Sequence, residues 1–318
     1  MITIRTQSGN GIVETLEPST GCWIDAQDVT TEDLHRLEHE FGIQPELLAD
    51  IMDADEQARI EHEDDYIAII VRLPVWDNSS EISYFTVPLG IILFKEKIIT
   101  VCQRSSDAVL DIAHNKVRGL VMRNQSAFVL NILSRAAFTF LRSLKEVNKM
   151  ANNIELALQK SVRNNELIKL LSLQKSLVYF TTSLKSNELI LEKMHKIPFL
   201  RFREEEQDLL EDVITENIQA MEMANIYSSI LTGTMDAFAS VISNNLNIVM
   251  KRLAIVNIVL MIPTLLYSFY GMNVDLPLQS NPLSALFIII FSLVASFIGV
   301  ALLNMDTSRK QRSHRKRK

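Results

Sequence analysis

Apolar and polar positions follow three different rhythms along this chain. In the first 120 or so residues the runs are short. Tyr66 to Leu73, Glu81 to Leu93 and Lys97 to Cys102 are alternating or continuous apolar segments that predict strands, interrupted at Pro74, Asn78 and Gly90. Helical patterns precede them: Thr31 can cap a segment reaching Glu40, and Pro45 can open one that passes Met52. Residues 1–122 therefore read as a compact α/β domain.

From Asn124 the rhythm lengthens. Apolar residues recur at Met150, Ile154 and Leu158, then at Leu167, Leu171 and Val178, with lysine, glutamate and asparagine on the other faces. This predicts a pair of long amphipathic helices over 123–198, broken near Ser161 to Asn165 and ended at Pro198. Arg203 to Tyr270 then contains a single glycine, Gly233, and a single proline, Pro263. One helix about 100 Å long fits that stretch, its part over 199–252 forming a stalk. Glu204, Glu205, Glu206, Asp208, Glu211 and Asp212 crowd its first turns, where carboxylates complement the helix dipole.

The third rhythm is unbroken apolarity. Leu253 to Tyr270 is a run of 18 residues without a charge, and Leu283 to Leu303 a second of 21. Each meets the length of roughly 20 residues that a membrane-spanning helix needs. Gly271 to Pro282 separates them as a short loop rich in prolines and glycine. Lys251 and Arg252 precede the first run, and residues 309–318 carry seven basic side chains and no acid, so both chain ends are expected in the cytoplasm and the loop outside.

Composition adds three points. Removing those seven basic residues takes the net charge from −6 to −13, so the soluble body is acidic and the basic tail (304–318) reads as a topology signal and a contact for anionic lipid rather than nucleic acid. Met1 to Asn10 does not resemble a signal peptide, which leaves insertion to the C-terminal runs. Cys22 and Cys102 form no close pairing motif and suit a reduced compartment.

Asp236, Ser240, Ser243, Asn247, Met250, Ala254, Asn257, Met261, Thr264 and Ser268 follow steps of three and four, which places them on one helix face. Polar groups aligned at membrane depth are costly unless helices associate or a lumen is wet. Two spans per chain cannot enclose such a lumen, so the working unit would be an oligomer whose first spans ring the axis.

That face ends at Tyr270, Gly271, Met272 and Asn273. With Met261, Pro263 and Thr264 before it, and the order of α/β domain, long helices, stalk and two spans, the chain resembles the CorA family of magnesium transporters over essentially its whole length. The resemblance implies a funnel-shaped homopentamer in the cytoplasmic membrane, first spans lining the pore. It implies an ion entrance at Gly271, Met272 and Asn273, constrictions at Met261, Leu253 and Met250, and polar rings at Asn247 and Asp236, with Asn257 and Thr264 also lining the pore. Leu253 falls one position off the periodic stripe at Ala254. The resemblance further implies a cytoplasmic Mg2+ sensor between neighbouring soluble domains, with Asp50 and Asp212 as partner acids and Asp53 and Asp208 as reserves. Mg2+ would be both cargo and regulator, with Co2+ or Ni2+ as further cargo.

The chemistry agrees with that reading. Mg2+ dehydrates reluctantly and prefers oxygen, so a ring of amide carbonyls can accept hydrogen bonds from its water shell and still release it. The loop Val274 to Pro282 has one acid, Asp275, where family loops commonly carry more, which weakens electrostatic capture. Two other readings stand beside a magnesium channel: zinc or proton-coupled export, as in a zinc-exporting branch of the same architecture, and a membrane-anchored scaffold. His35, Glu38 and His39 match an inverted zinc-protease string, but no third ligand is indicated and a solvated helix face accounts for them; no enzymatic activity is expected.

Overall fold

The computed structural model describes the chain except residues 10, 78–81, 118–119, 161–163, 195–199, 201, 274–282 and 316–318, and describes only the backbone of 284–285 and 302–315. The outer loop with Asp275, the helix break near Ser161 and the stop at Pro198 lie outside the described residues. The chain divides into two compact units, Met1–Asp236 and Ala237–Lys318.

In the first unit β1 (Ile2–Ser8), β2 (Gly11–Thr15), β3 (Cys22–Gln27), β4 (Arg59–His62), β5 (Tyr66–Trp76), β6 (Tyr84–Phe94) and β7 (Lys97–Cys102) form one sheet in the order β2-β1-β3-β7-β6-β5-β4. Only the β3–β7 pair is parallel. The central strands are apolar on both faces, and their period of two divides the core into layers. Ile69, Val71, Leu89 and Ile91 face α3 (Asp107–Ala113), α4 (Gln125–Lys160), α5 (Asn164–Met194) and the first turns of α6 (Glu204–Tyr270). Ala68, Ile70, Ile92 and Ile99 face α1 (Thr31–His39) and α2 (Pro45–Met52).

Pro74 and Gly90 do not interrupt their strands. Pro74 has a neighbour only in β6, because β4 pairs with Ile67–Ile70 alone, so its missing N–H breaks no second ladder. Gly90 makes room for α2: a Cβ there would lie 2.2 Å from Cδ1 of the buried Ile51. Gly90→Val is therefore expected to destabilise the soluble unit by about 2 kcal/mol through overpacking, measured by denaturant titration. The cap of α1 is Thr30 rather than Thr31. Its hydroxyl accepts from the Asp33 amide while Asp33 accepts from the Thr30 amide, a reciprocal pair that satisfies two helix-end donors.

The edge of β5 beyond β4 is covered by a side chain. Asn187 of α5 accepts from the Arg72 N–H and donates to the Arg72 C=O, each at 2.8 Å, and so replaces the absent strand. Buried Cys102 has its thiol pushed up to about 12 by desolvation. Gln125–Lys160 is long and apolar enough to cross a membrane, but most of its apolar window is buried in the first unit, which identifies it as a core helix.

In the second unit the C-terminal half of α6 is apolar and unburied, and α7 (Ser284–Arg315) contains a second, shorter apolar stretch over Leu286–Ala301. α7 continues as helix past Leu303, so no helix end separates the predicted span from the basic segment after it.

Candidate ion pathway and regulatory acids

Two rows of side chains divide the membrane-length part of α6. Ile255, Ile258, Ile262 and Leu266, three or four residues apart, are partly covered. Gly299 of α7 sits against this row: a Cβ on it would lie 3.2 Å from Ile258 Cγ2 and 3.5 Å from Ile262 Cδ1. Ser296 and Ser292, one and two turns earlier on α7, are buried, so small residues let the two backbones approach.

The second row is Met250, Ala254, Asn257, Met261, Thr264 and Ser268, and every member is exposed in the single chain. At 100° per residue it lies about 120° around the helix from the row that meets α7. Leu253 is also exposed, at 53%, and lies nearly opposite the α7-facing row, one position from Ala254. Asn247 and Asp236 are exposed on the same helix further toward its N-terminus. Thr264 donates its hydroxyl to the Leu260 carbonyl at 2.6 Å, which leaves its oxygen able only to accept from a further donor.

The end of α6 is built around Gly271. Its amide donates to the Tyr267 carbonyl at 2.9 Å, and a Cβ would stand 3.2 Å from that same oxygen. Met272 and Asn273 follow as a bend, both exposed, immediately beyond the last helical residue. Small size at Gly271 thus lets the chain turn off the helix at the position where Asn273 begins the connection.

The proposed regulatory acids lie on different layers of the first unit. Asp50 is on α2, whose Leu47, Leu48 and Ile51 fill one sheet face, whereas Asp212 and Asp208 are on α6, whose Leu210 and Val213 join the core on the other. Among the described residues no hydrogen bond or ion pair links them, and no cluster of three or more His, Cys, Asp or Glu forms a metal site. One chain does not bring these acids together. Asp50 instead accepts from Arg59 at 2.6 Å, and Arg59 also pairs with Glu61 at 2.6 Å and with Glu56. Partial burial opposes the Arg59 charge, but these acids outweigh it and raise its pKa. Asp53 caps the end of α2 and accepts from the Asp55 amide at 3.0 Å. Arg72, buried in the sheet, donates to the carbonyls of Ala54 and Glu56 at 2.7 Å each and fixes the segment after α2.

Asp208 and Asp212 are exposed on α6. One turn on from Asp212, Glu216 has its pKa raised by burial and then by the Asp212 charge. Sequence reasoning missed Arg59, Arg72 and Glu216. Their significance comes from which acids they meet across elements, and no spacing in the sequence encodes that.

Residues 19–306 match the family model described as CorA-like Mg2+ transporter protein. The chain belongs to this family of membrane transporters. Among CorA relatives, the cobalt/magnesium transport protein CorA of Methanocaldococcus jannaschii is 28% identical over 82% of each chain. That of Thermotoga maritima is 22% identical over 85% of this chain and 78% of its own. The complete structure of the M. jannaschii CorA magnesium transporter superposes with a TM-score of 0.78 at 25% identity, covering 95% of this chain and 96% of that one. The CorA fold thus extends over the soluble α/β unit, the long helices and the two C-terminal apolar stretches.

Proposed function

We propose that this chain moves hydrated Mg2+, and Co2+ as a second cargo, through a homopentameric pore in the cytoplasmic membrane, under control of cytoplasmic Mg2+. Family membership supports the transport class, and the names of the relatives support the ions. The observation that carries the pore assignment is the division of α6 into a row covered by α7 and an uncovered row holding Asn257, Thr264 and Ser268. In a ring, α7 outside and the polar row inside give each its compatible surroundings: small and apolar residues meet helix or lipid, and amides and hydroxyls meet water. Both termini are placed in the cytoplasm, α6 from Leu253 and α7 to Leu303 cross the bilayer, and the basic tail rests on anionic lipid.

Entry at Gly271, Met272 and Asn273 presents amide oxygens to the ion's water shell. Met261, Leu253 and Met250 narrow the path, and Asn247 and Asp236 ring its cytoplasmic part, where acid concentrates cations. A regulatory ion would bridge Asp50, with Asp53 in reserve, of one subunit to Asp212, with Asp208 in reserve, of the next. Placement of these acids on opposite sheet faces supports a site between subunits rather than within one.

Because both native cysteines are buried, single cysteines report cleanly. In lipid, Asn257→Cys is expected to react with a charged thiol reagent and Ile258→Cys to stay protected, giving rates that differ by at least about tenfold, in line with solvent access to the thiolate. Equal reactivity at the two positions would remove the lumen from this face.

A further inference from the structure

We propose that each subunit contains a buried hydrogen-bonded relay, centred on Arg72, Asn187 and Asn217, that ties the loop after α2 to the stalk helix α6. Resting on the sensor assigned above to Asp50 and Asp212, the relay makes the two halves of that sensor move together. Residues 53–58 form the loop, and three bonds hold it. Arg72 donates to the carbonyls of Ala54 and Glu56, and the half-buried Ser186 of α5 accepts from the Ala58 amide at 2.9 Å. Burial pushes the Arg72 pKa down, and the charges of Asp55, Asp53 and Glu56 oppose that shift, so the guanidinium is attracted to the acids of the loop as well as bonded to its carbonyls.

From Arg72 the bonds run to α5. Its other guanidinium nitrogen donates to Thr86 Oγ1 at 2.8 Å and to the Thr86 carbonyl at 3.0 Å, and Ser183 donates to the same Thr86 Oγ1 at 2.8 Å. Asn187 clasps the Arg72 backbone through both its N–H and its C=O. Ser183, Ser186 and Asn187 fall within one turn, so one face of α5 makes all of these contacts. Asn217 of α6 completes the path by donating to the Leu184 carbonyl at 3.0 Å. Arg72, Thr86, Ser183, Asn187 and Asn217 are all buried, and none has a buried side-chain atom without a partner. A buried network that is fully paired holds one geometry, because any slip leaves a donor or acceptor unsatisfied in a low dielectric. Apolar contacts of the same area tolerate sliding.

The ends of this path carry the regulatory acids. Asp53 opens the loop and Asp50 precedes it on α2, while Asp212 lies about 7.5 Å along α6 from Asn217 at 1.5 Å per residue. In a ring, each subunit offers Asp50 to one neighbour and Asp212 to the other. An ion that draws on Asp50 at one interface pulls on the loop after α2, and the relay passes that pull through α5 to the stalk of the same subunit.

The test measures Mg2+ flux through the full chain in proteoliposomes as cytoplasmic Mg2+ is raised. Asn217→Leu keeps the side-chain volume and removes the donor, and the Leu184 carbonyl, inside α5, keeps its helical bond. This variant is expected to need at least about threefold more Mg2+ for half-inhibition, within the range by which coupling residues act. Flux in Mg2+-free solution should be parental, and the melting temperature within about 4 °C of the parent's, as the loss of one hydrogen bond allows. Ser183→Ala cuts the relay at Thr86 and should shift inhibition in the same direction, so the result does not depend on one variant assembling. In the Asp212→Ala background neither substitution should move the curve further, because the relay then has no sensor to serve, whereas an independent effect on conduction would add. Parental inhibition in both variants, or a full additive shift on top of Asp212→Ala, overturns the relay alone. An Asp212→Ala curve that coincides with the parent's overturns the sensor, and the relay with it.

Discussion

Asn273→Ala is expected to lower Mg2+ flux by about a hundredfold or more while the oligomer assembles normally, since one acceptor lost from each subunit of a ring removes several hydrogen bonds worth about 1 kcal/mol apiece. Asn273 is exposed one step beyond the turn at Gly271 and Met272, so among the described residues of its own chain its side chain has no packing to lose. Alanine there deletes acceptors and leaves the backbone unaffected. Asparagine also serves as a helix-end residue, and Asn273→Gly separates the two roles because glycine keeps the turn and removes the amide. Aspartate retains an oxygen but adds a full charge per subunit, so Asn273→Asp should strengthen capture, broaden selectivity and slow release. Flux into liposomes, with oligomer size and melting temperature measured on the same preparation, checks all three variants. Parental flux through Asn273→Gly would contradict the assignment.

The second large effect concerns regulation. Asp212→Ala should raise the cytoplasmic Mg2+ concentration needed to silence current by about tenfold or more, within the usual range of coupling between an effector site and a distant equilibrium. Asp50→Ala should do the same, by a different route in the resting protein, because Asp50 is paired with Arg59 before any ion arrives. An ion bridging Asp50 must compete with that guanidinium. Arg59→Gln should accordingly shift inhibition to lower Mg2+, the opposite direction from either acid variant. Asp212 has a second, independent reporter. Its charge is one of the causes that hold the Glu216 pKa up, so Asp212→Asn should move the Glu216 titration toward the ordinary carboxylate range, measured by NMR of labelled glutamate. Inhibition curves that coincide for the parent, Asp50→Ala and Asp212→Ala would remove both residues from the sensor.

What the sequence made legible depended on how local the cause was. Unbroken apolar runs and the three-and-four stripe on α6 depend on composition and periodicity alone, and the same faces appear in the structure. The strands at Tyr66, Tyr84 and Lys97 and the helix opened by Pro45 were readable for the same reason. Strands β1 to β3 were not: Ile2–Ser8 and Gly11–Thr15 mix charged and apolar residues, and the three join the middle of the sheet through β3, whose partner β7 lies more than seventy residues on. Pro74 and Gly90 looked like breaks because their tolerance comes from tertiary context, an unpaired edge in one case and the approach of Ile51 in the other. For the candidate site, the polar stripe could be read directly, whereas its orientation against α7 required knowing that Gly299 meets Ile258 and Ile262. The Arg59 pairing of Asp50 likewise arises only when the loop after α2 folds back onto β4.

Ion flux into proteoliposomes tests the central assignment most directly, with Mg2+, Co2+, Ni2+ and Zn2+ compared and cytoplasmic Mg2+ present or absent. The account predicts rapid Mg2+ entry, measurable Co2+ entry, and suppression of both when Mg2+ bathes the cytoplasmic side. Zn2+ movement without Mg2+ movement, or no flux of any of the four ions through an intact oligomer, would contradict it.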